Sequence, residues 1–170
     1  MLKKSFLTFL VLLPLAFPCG AAQSLRVKYV VDGDTLILEN HEKVRLIGVD
    51  TPEVDDKWGR NIKDAERSHR DVKIINEYAL RAKSFLNNLL RDKTVDMEME
   101  PGNASIGHKD KYGRTLAYLY RPPDHLFINA ELIKQGYGFA YTRFPFKYAE
   151  DFRRYEKEAR DNKKGLWADL

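Results

Sequence analysis

Cysteine is almost missing from this 170-residue chain: Cys19 is the only one, so no intramolecular disulfide is available and packing alone must hold the fold. No apolar run reaches the roughly 18 residues that cross a bilayer. The longest, Phe6 to Phe17, follows Lys3 and Lys4 and precedes Gly20, Ala21 and Ala22. That layout predicts a secretory signal peptide over 1–22, cleaved after Ala22, and export of the remainder to the periplasm or the medium. Phe17 and Pro18 before Cys19 lack the small residue that a lipoprotein signal places there. A large charge excess is absent too, with 29 Lys and Arg against 25 Asp and Glu, and removing Lys3 and Lys4 leaves 27 against 25. Attraction to a polyanion must therefore come from where the charges sit. His41, His69, His108 and His125 are scattered, which gives zinc little backing. Asp32-Gly33-Asp34 is too short for an EF-hand, and neither a Gly-rich phosphate loop nor a serine nucleophile elbow is present.

What remains after the leader, residues 23–170, is enough for one domain with its own core. Three β segments, Leu25 to Val31, Thr35 to Glu39 and Lys43 to Val49, are separated by Asp-Gly and Asn-His turns and read as an antiparallel meander. Thr94 to Glu100 and Arg114 to Tyr120 add two more strands. Three-and-four apolar spacing predicts a helix from Ile75 to Arg91, and others are expected from an Asn129 N-cap to Gln135 and from Tyr148 to Arg160. Gly165-Leu166-Trp167 is expected to fold back as an apolar plug. The fold class is thus α+β, a five-stranded OB-type barrel with three helices. Residues 54–74 carry six Lys or Arg and five acids and read as a long loop at the rim of any site beside Glu53. Its Lys57, Arg60 and Lys63 are expected to reach the flanks of a long polyanionic strand without touching a reacting phosphate.

Five residues in three short segments stand out: Asp34 in Val31-Asp32-Gly33-Asp34-Thr35, Arg45, Asp50 and Glu53 in Val44 to Glu53, and Arg114 in Asp110 to Tyr118. Carboxylate oxygens at strand ends suit hard cations such as Ca²⁺ or Mg²⁺. Guanidinium groups clasp phosphate oxygens two at a time. Each residue alone has an ordinary reading: the aspartates make turns and a loop glutamate is a solvated charge.

Taken together and in this order, the three segments resemble the staphylococcal-nuclease-like (thermonuclease) family, and the resemblance runs from about Val27 to Trp167. It implies a Ca²⁺-dependent nuclease that hydrolyses DNA and RNA with little sequence preference and leaves 3′-phosphate ends. By that resemblance Asp34, Asp50 and the Thr51 carbonyl hold Ca²⁺, Glu53 takes a proton from water, and Arg45 and Arg114 hold the phosphate. Arg114 is also the candidate for assisting the leaving 5′ oxygen. Lys111, Tyr112 and Tyr141 match positions lining the nucleotide pocket, and Asp32 matches an acidic neighbour of the metal ligand. Arg143 departs from a pocket tyrosine, replacing a stacking face by a cation. A monomer with nucleic acid as its partner is expected. The rival reading is a non-catalytic nucleic-acid-binding module on the same barrel.

Overall fold

The computed structural model describes residues 24–168. The expected leader over 1–22 lies outside them. Along the chain, β1 (Leu25–Asp32), β2 (Thr35–Leu38) and β3 (Lys43–Leu46) form the expected antiparallel meander. Gly48 then kinks the chain at a φ of 75° into a short β4 (Val49–Asp50). A side chain at Gly48 would drive its Cβ to 2.6 Å from the Phe146 ring, so only glycine makes the kink that ends β3 early. β5 (Thr94–Glu98) pairs with β1, and β6 (Thr115–Arg121) pairs with β5. β6 also runs parallel to β3, with Arg45 opposite Leu116, and this pairing closes the five-stranded barrel. β7 (Leu126–Phe127) extends β6, and β8 (Phe139–Ala140) pairs with β4.

Among the described residues four α-helices accompany the barrel, one more than expected. The 54–74 stretch, expected to be a loop, contains α1 (Arg60–Ser68). Its buried residues are Asn61, Asp64 and Ser68, a three-and-four spacing filled with polar side chains. α2 (Val72–Leu90) begins three residues earlier than expected because Asp71 caps it, accepting from the Lys73 N–H at 2.7 Å. Ile75, Tyr78, Ala79, Ala82, Leu86 and Leu90 form its buried face. α3 (Ile128–Lys134) and α4 (Ala149–Asp161) complete the set, and Phe152 of α4 joins the barrel core of Leu36, Leu38, Val44, Leu46 and Leu119. Leu166 and Trp167 are buried as a plug beside Ile75, Phe139 and Ala159. No helix among the described residues is long and apolar enough to cross a membrane.

Asn129 does not cap α3; Phe127 stands at the cap position. The Asn129 side chain is fully buried, accepts the Leu119 N–H at 2.9 Å and donates to the Ile47 and Ala117 carbonyls at 3.0 and 3.2 Å. It thereby ties the β3 end to β6 where the sheet closes. Asn129→Ala is expected to cost about 2–4 kcal/mol, because buried main-chain groups lose a partner that water cannot reach. Urea unfolding checks this, and a change below about 1 kcal/mol would mean that the amide is replaceable there.

Candidate active site

The β1–β2 turn, the end of β3, β4 and the start of β6 meet at one rim of the barrel. Asp34 is 1% exposed, and its carboxylate accepts from Arg45 Nη1, from the Thr35 hydroxyl at 2.9 Å and from the Thr51 N–H at 3.1 Å. Asp32 in turn accepts the Asp34 N–H at 3.2 Å. Gly33 lets this turn press on α2 and Thr51, since a Cβ there would sit 2.7 Å from both Ala82 and the Thr51 hydroxyl. Arg45 Nη2 donates to the Val49 carbonyl at 3.1 Å and to Asp50 Oδ1 at 3.2 Å, so one buried guanidinium holds both aspartates. Burial pushes the Asp34 carboxyl up, against the pull of Arg45. For Arg45, burial works toward a lower value, but Asp34 and Asp50 outweigh it and raise the guanidinium. Arg114 Nε contacts Asp110 at 2.7 Å while its Nη1 reaches the Thr35 hydroxyl at 3.4 Å. Four of the five singled-out residues are thus linked through Asp34.

Glu53 joins through α1. Its carboxylate pairs with Arg60 at 2.6 Å, and burial raises it above the ordinary carboxylate value, with Arg60 working the other way. Arg60 is therefore set on Glu53 itself rather than out on the flank where it was expected. The main chain of Glu53 is clamped by Asn61, which accepts its N–H and donates to its carbonyl, both at 2.8 Å, and donates to Asn76 at 2.8 Å. Arg67 Nη2 bridges Asp50 at 2.7 Å and Asp64 at 2.6 Å, and its guanidinium lies 3.4 Å from the Phe139 ring centre. Burial raises Asp64 to about 6 despite Arg67. Asn61, Asp64 and Arg67 were missed in the sequence because a charged stretch read as loop hides which polar groups turn inward.

These residues open onto one groove of about 1630 Å³. Its walls include Asp50, Thr51 and Glu53, with Arg45, Arg114 and Arg67 beside them. Tyr112 is 70% exposed, with the Lys111 ammonium 4.9 Å from its ring centre. Tyr141 and Phe144 face each other at 6.1 Å, and exposed Arg143 lies 5.9 Å from the Phe144 ring. Among the described residues no three His, Cys, Asp or Glu side chains gather as a metal-binding group. A cation here would take oxygen from Asp34, Asp50 and the Thr51 main chain and leave its other positions to water or substrate. Asp34 and Asp50 supply carboxylate oxygens of the hard type such an ion takes, and both carboxylates are paired with Arg45.

A closed five-stranded barrel with helices and a rim of carboxylates and guanidinium groups defines an OB-type fold with a charged groove. The model of the family described as staphylococcal nuclease homologue matches residues 43–169, and the chain belongs to that family. It is 37% identical over 150 residues to an uncharacterized protein of Methanocaldococcus jannaschii, covering 84% of this chain and 70% of that one. Thermonucleases of Staphylococcus intermedius and Staphylococcus hyicus are 34% and 31% identical. The matches cover 85% and 86% of this chain, and 76% of each relative.

Asn61 supplies a local test. Asn61→Ala is expected to lose about 1–3 kcal/mol of stability and to free the Glu53 amide. Native-state hydrogen exchange should then show the Glu53 N–H exchanging faster while the β1 to β3 amides keep their protection. Unchanged protection at Glu53 would show that the clamp does not hold this segment.

Proposed function

We propose that this protein is a Ca²⁺-dependent nuclease that hydrolyses phosphodiester bonds of DNA and RNA and leaves 3′-phosphate and 5′-hydroxyl ends. The observation that carries the reading is that Glu53, Arg45, Asp50 and Arg114 line one groove, with Asp34 buried behind it and paired to Arg45. Membership of the staphylococcal nuclease family and relatives named thermonuclease support it. We further propose that the chain acts as a monomer and is exported after loss of residues 1–22.

In this reading Glu53 accepts a proton from the water that attacks phosphorus, and its burial-raised basicity suits that task. Arg45 and Arg114 hold the phosphate oxygens as charge builds on them, through N–H groups beyond those that Asp34, Asp50, Asp110 and Thr35 accept. The bond from phosphorus to the 5′ oxygen breaks, and in this reading Arg114 eases that oxygen's departure. When bound, Ca²⁺ held by Asp34, Asp50 and the Thr51 carbonyl adds positive charge to the same phosphate. Lys111, Tyr112 and Tyr141 line the groove for the nucleotide, with rings that stack on any base.

Degradation of plasmid and RNA is expected with Ca²⁺ and to stop in excess chelator, and end-group analysis should find 3′-phosphates. Mg²⁺, which demands tighter octahedral geometry, is expected to bind without supporting turnover. Glu53→Gln should lower turnover by about 10²- to 10⁴-fold with little change in nucleotide affinity. Arg45→Lys and Arg114→Lys should each lose about 10²-fold, since charge survives but the two-pronged clasp does not. Near-native turnover in all three variants would put the non-catalytic binding module in front.

A further inference from the structure

Trp58 is 87% exposed, the most exposed of the large apolar side chains among the described residues. An indole left in water forgoes the burial that makes aromatic residues stabilising, so its display needs a reason. The turn that carries it is held on both sides. Asp56 accepts the Arg60 and Asn61 N–H groups at 2.6 and 2.9 Å, and the Asp55 carbonyl accepts the Lys57 N–H at 3.0 Å. Asn61 then locks the helix that follows onto Glu53. Trp58 is thus presented by an anchored turn, and it lines the same groove as Glu53 and Arg45.

A chain of contacts joins the segments around that groove. From α1, Arg60 leads to Glu53 and Arg67 to Asp50; Asp50 leads through Arg45 to Asp34, and Asp34 through Thr35 to Arg114 and the 110–114 turn. Trp58 stands just before α1 and Tyr112 lies in the 110–114 turn that Arg114 ties to Thr35, so the two rings reach the groove from different segments. A groove of about 1630 Å³ exceeds the roughly 300–1,000 Å³ of a small-molecule site, which leaves room for strand beyond one nucleotide. Lys63, also in its wall, has no ion-pair partner among the described residues, while Arg60 is held by Glu53 and Lys57 by Asp55.

We propose that Trp58 and Lys63 form a second nucleotide subsite on the α1 wall of the groove, in which the indole stacks on a base and the ammonium meets a backbone phosphate of single-stranded DNA or RNA. This rests on the nuclease reading above and adds to it where a longer strand is gripped. Stacking of a base on an aromatic ring contributes about 1–3 kcal/mol without reading sequence.

The chain has two tryptophans, and Trp167 is 1% exposed, edge-on to Phe139 at 5.4 Å, so a change in indole fluorescence reports Trp58. Titrating the protein with a single-stranded thymidylate dodecamer in chelator should quench that fluorescence. By a competition readout that does not use the indole, Trp58→Ala should weaken dodecamer binding about 5- to 100-fold, and Trp58→Tyr should restore most of it. Lys63→Gln should weaken it and flatten its salt dependence. Cleavage of a dinucleotide in Ca²⁺ should stay within about twofold of wild type in all three variants, since the scissile phosphate lies elsewhere. Wild-type dodecamer affinity in Trp58→Ala, with wild-type cleavage intact, overturns the subsite alone. Equal losses on both substrates assign Trp58 to the shape of the catalytic centre and also overturn it. A concentration-dependent dimer that Trp58→Ala abolishes, with dodecamer affinity unchanged, would give the ring to a second copy of the chain. Absence of cleavage and of binding in the wild-type protein sinks the nuclease reading, and the subsite with it.

Discussion

A guanidinium group withdrawn from water has to be met by acceptors on nearly every side, and the rim of this barrel is organised around that demand at Arg45. Its two terminal nitrogens reach Asp34 from the β1–β2 turn, and Asp50 and the Val49 carbonyl from β4. Two segments are thereby pinned to β3 through one planar group. The same pinning gathers carboxylates that repel one another, and only the cations among them make the cluster tolerable. Removing one partner leaves the others buried and uncompensated, so these residues stand or fall together. An added divalent ion would enter a neighbourhood already shaped to share positive charge between two aspartates.

Much of the barrel could be read along the chain because each strand carries apolar residues between turn signals, and the β1–β3 meander needs only local pairing. Two boundaries could not. β3 stops at Leu46 because of the Gly48 kink, which depends on Phe146 and Phe152 lying close by, a contact about 100 residues away. Asn129 looked like a helix cap because asparagine before an apolar run usually is one. Its actual role answers unpaired main-chain groups on β6 and after β3, which no local pattern displays.

α1 was invisible for a different reason. Amphipathic helices announce themselves by apolar residues at three-and-four spacing, yet α1 turns Asn61, Asp64 and Ser68 inward. Its inner face is specified by hydrogen bonds: Asn61 to Glu53, Ser68 to the Asp64 carbonyl at 2.5 Å, and Arg67 across to Asp50. The carboxylates and arginines of the site could be named from their motifs, and the structure does bring Asp34, Arg45, Asp50, Glu53 and Arg114 to one rim. What supports Glu53 from below could not be named, because the supporting residues belong to a charged stretch whose polarity mimics a solvated loop.

The barrel closes by a parallel pairing between β3 and β6, strands about 70 residues apart in the chain. Such a contact has no local precursor, and the entropy of closing that loop must be met before the pairing repays it. During synthesis, the segment bearing Asp34, Arg45, Asp50 and Glu53 leaves the ribosome well ahead of Arg114. Until β6 lies against β3, Thr35 lacks the guanidinium that completes its side of the groove. An N-terminal fragment or a stalled chain therefore holds Asp34, Arg45, Asp50 and Glu53 but lacks Arg114 and the strand that closes their side of the groove. A complete groove belongs to the finished topology alone.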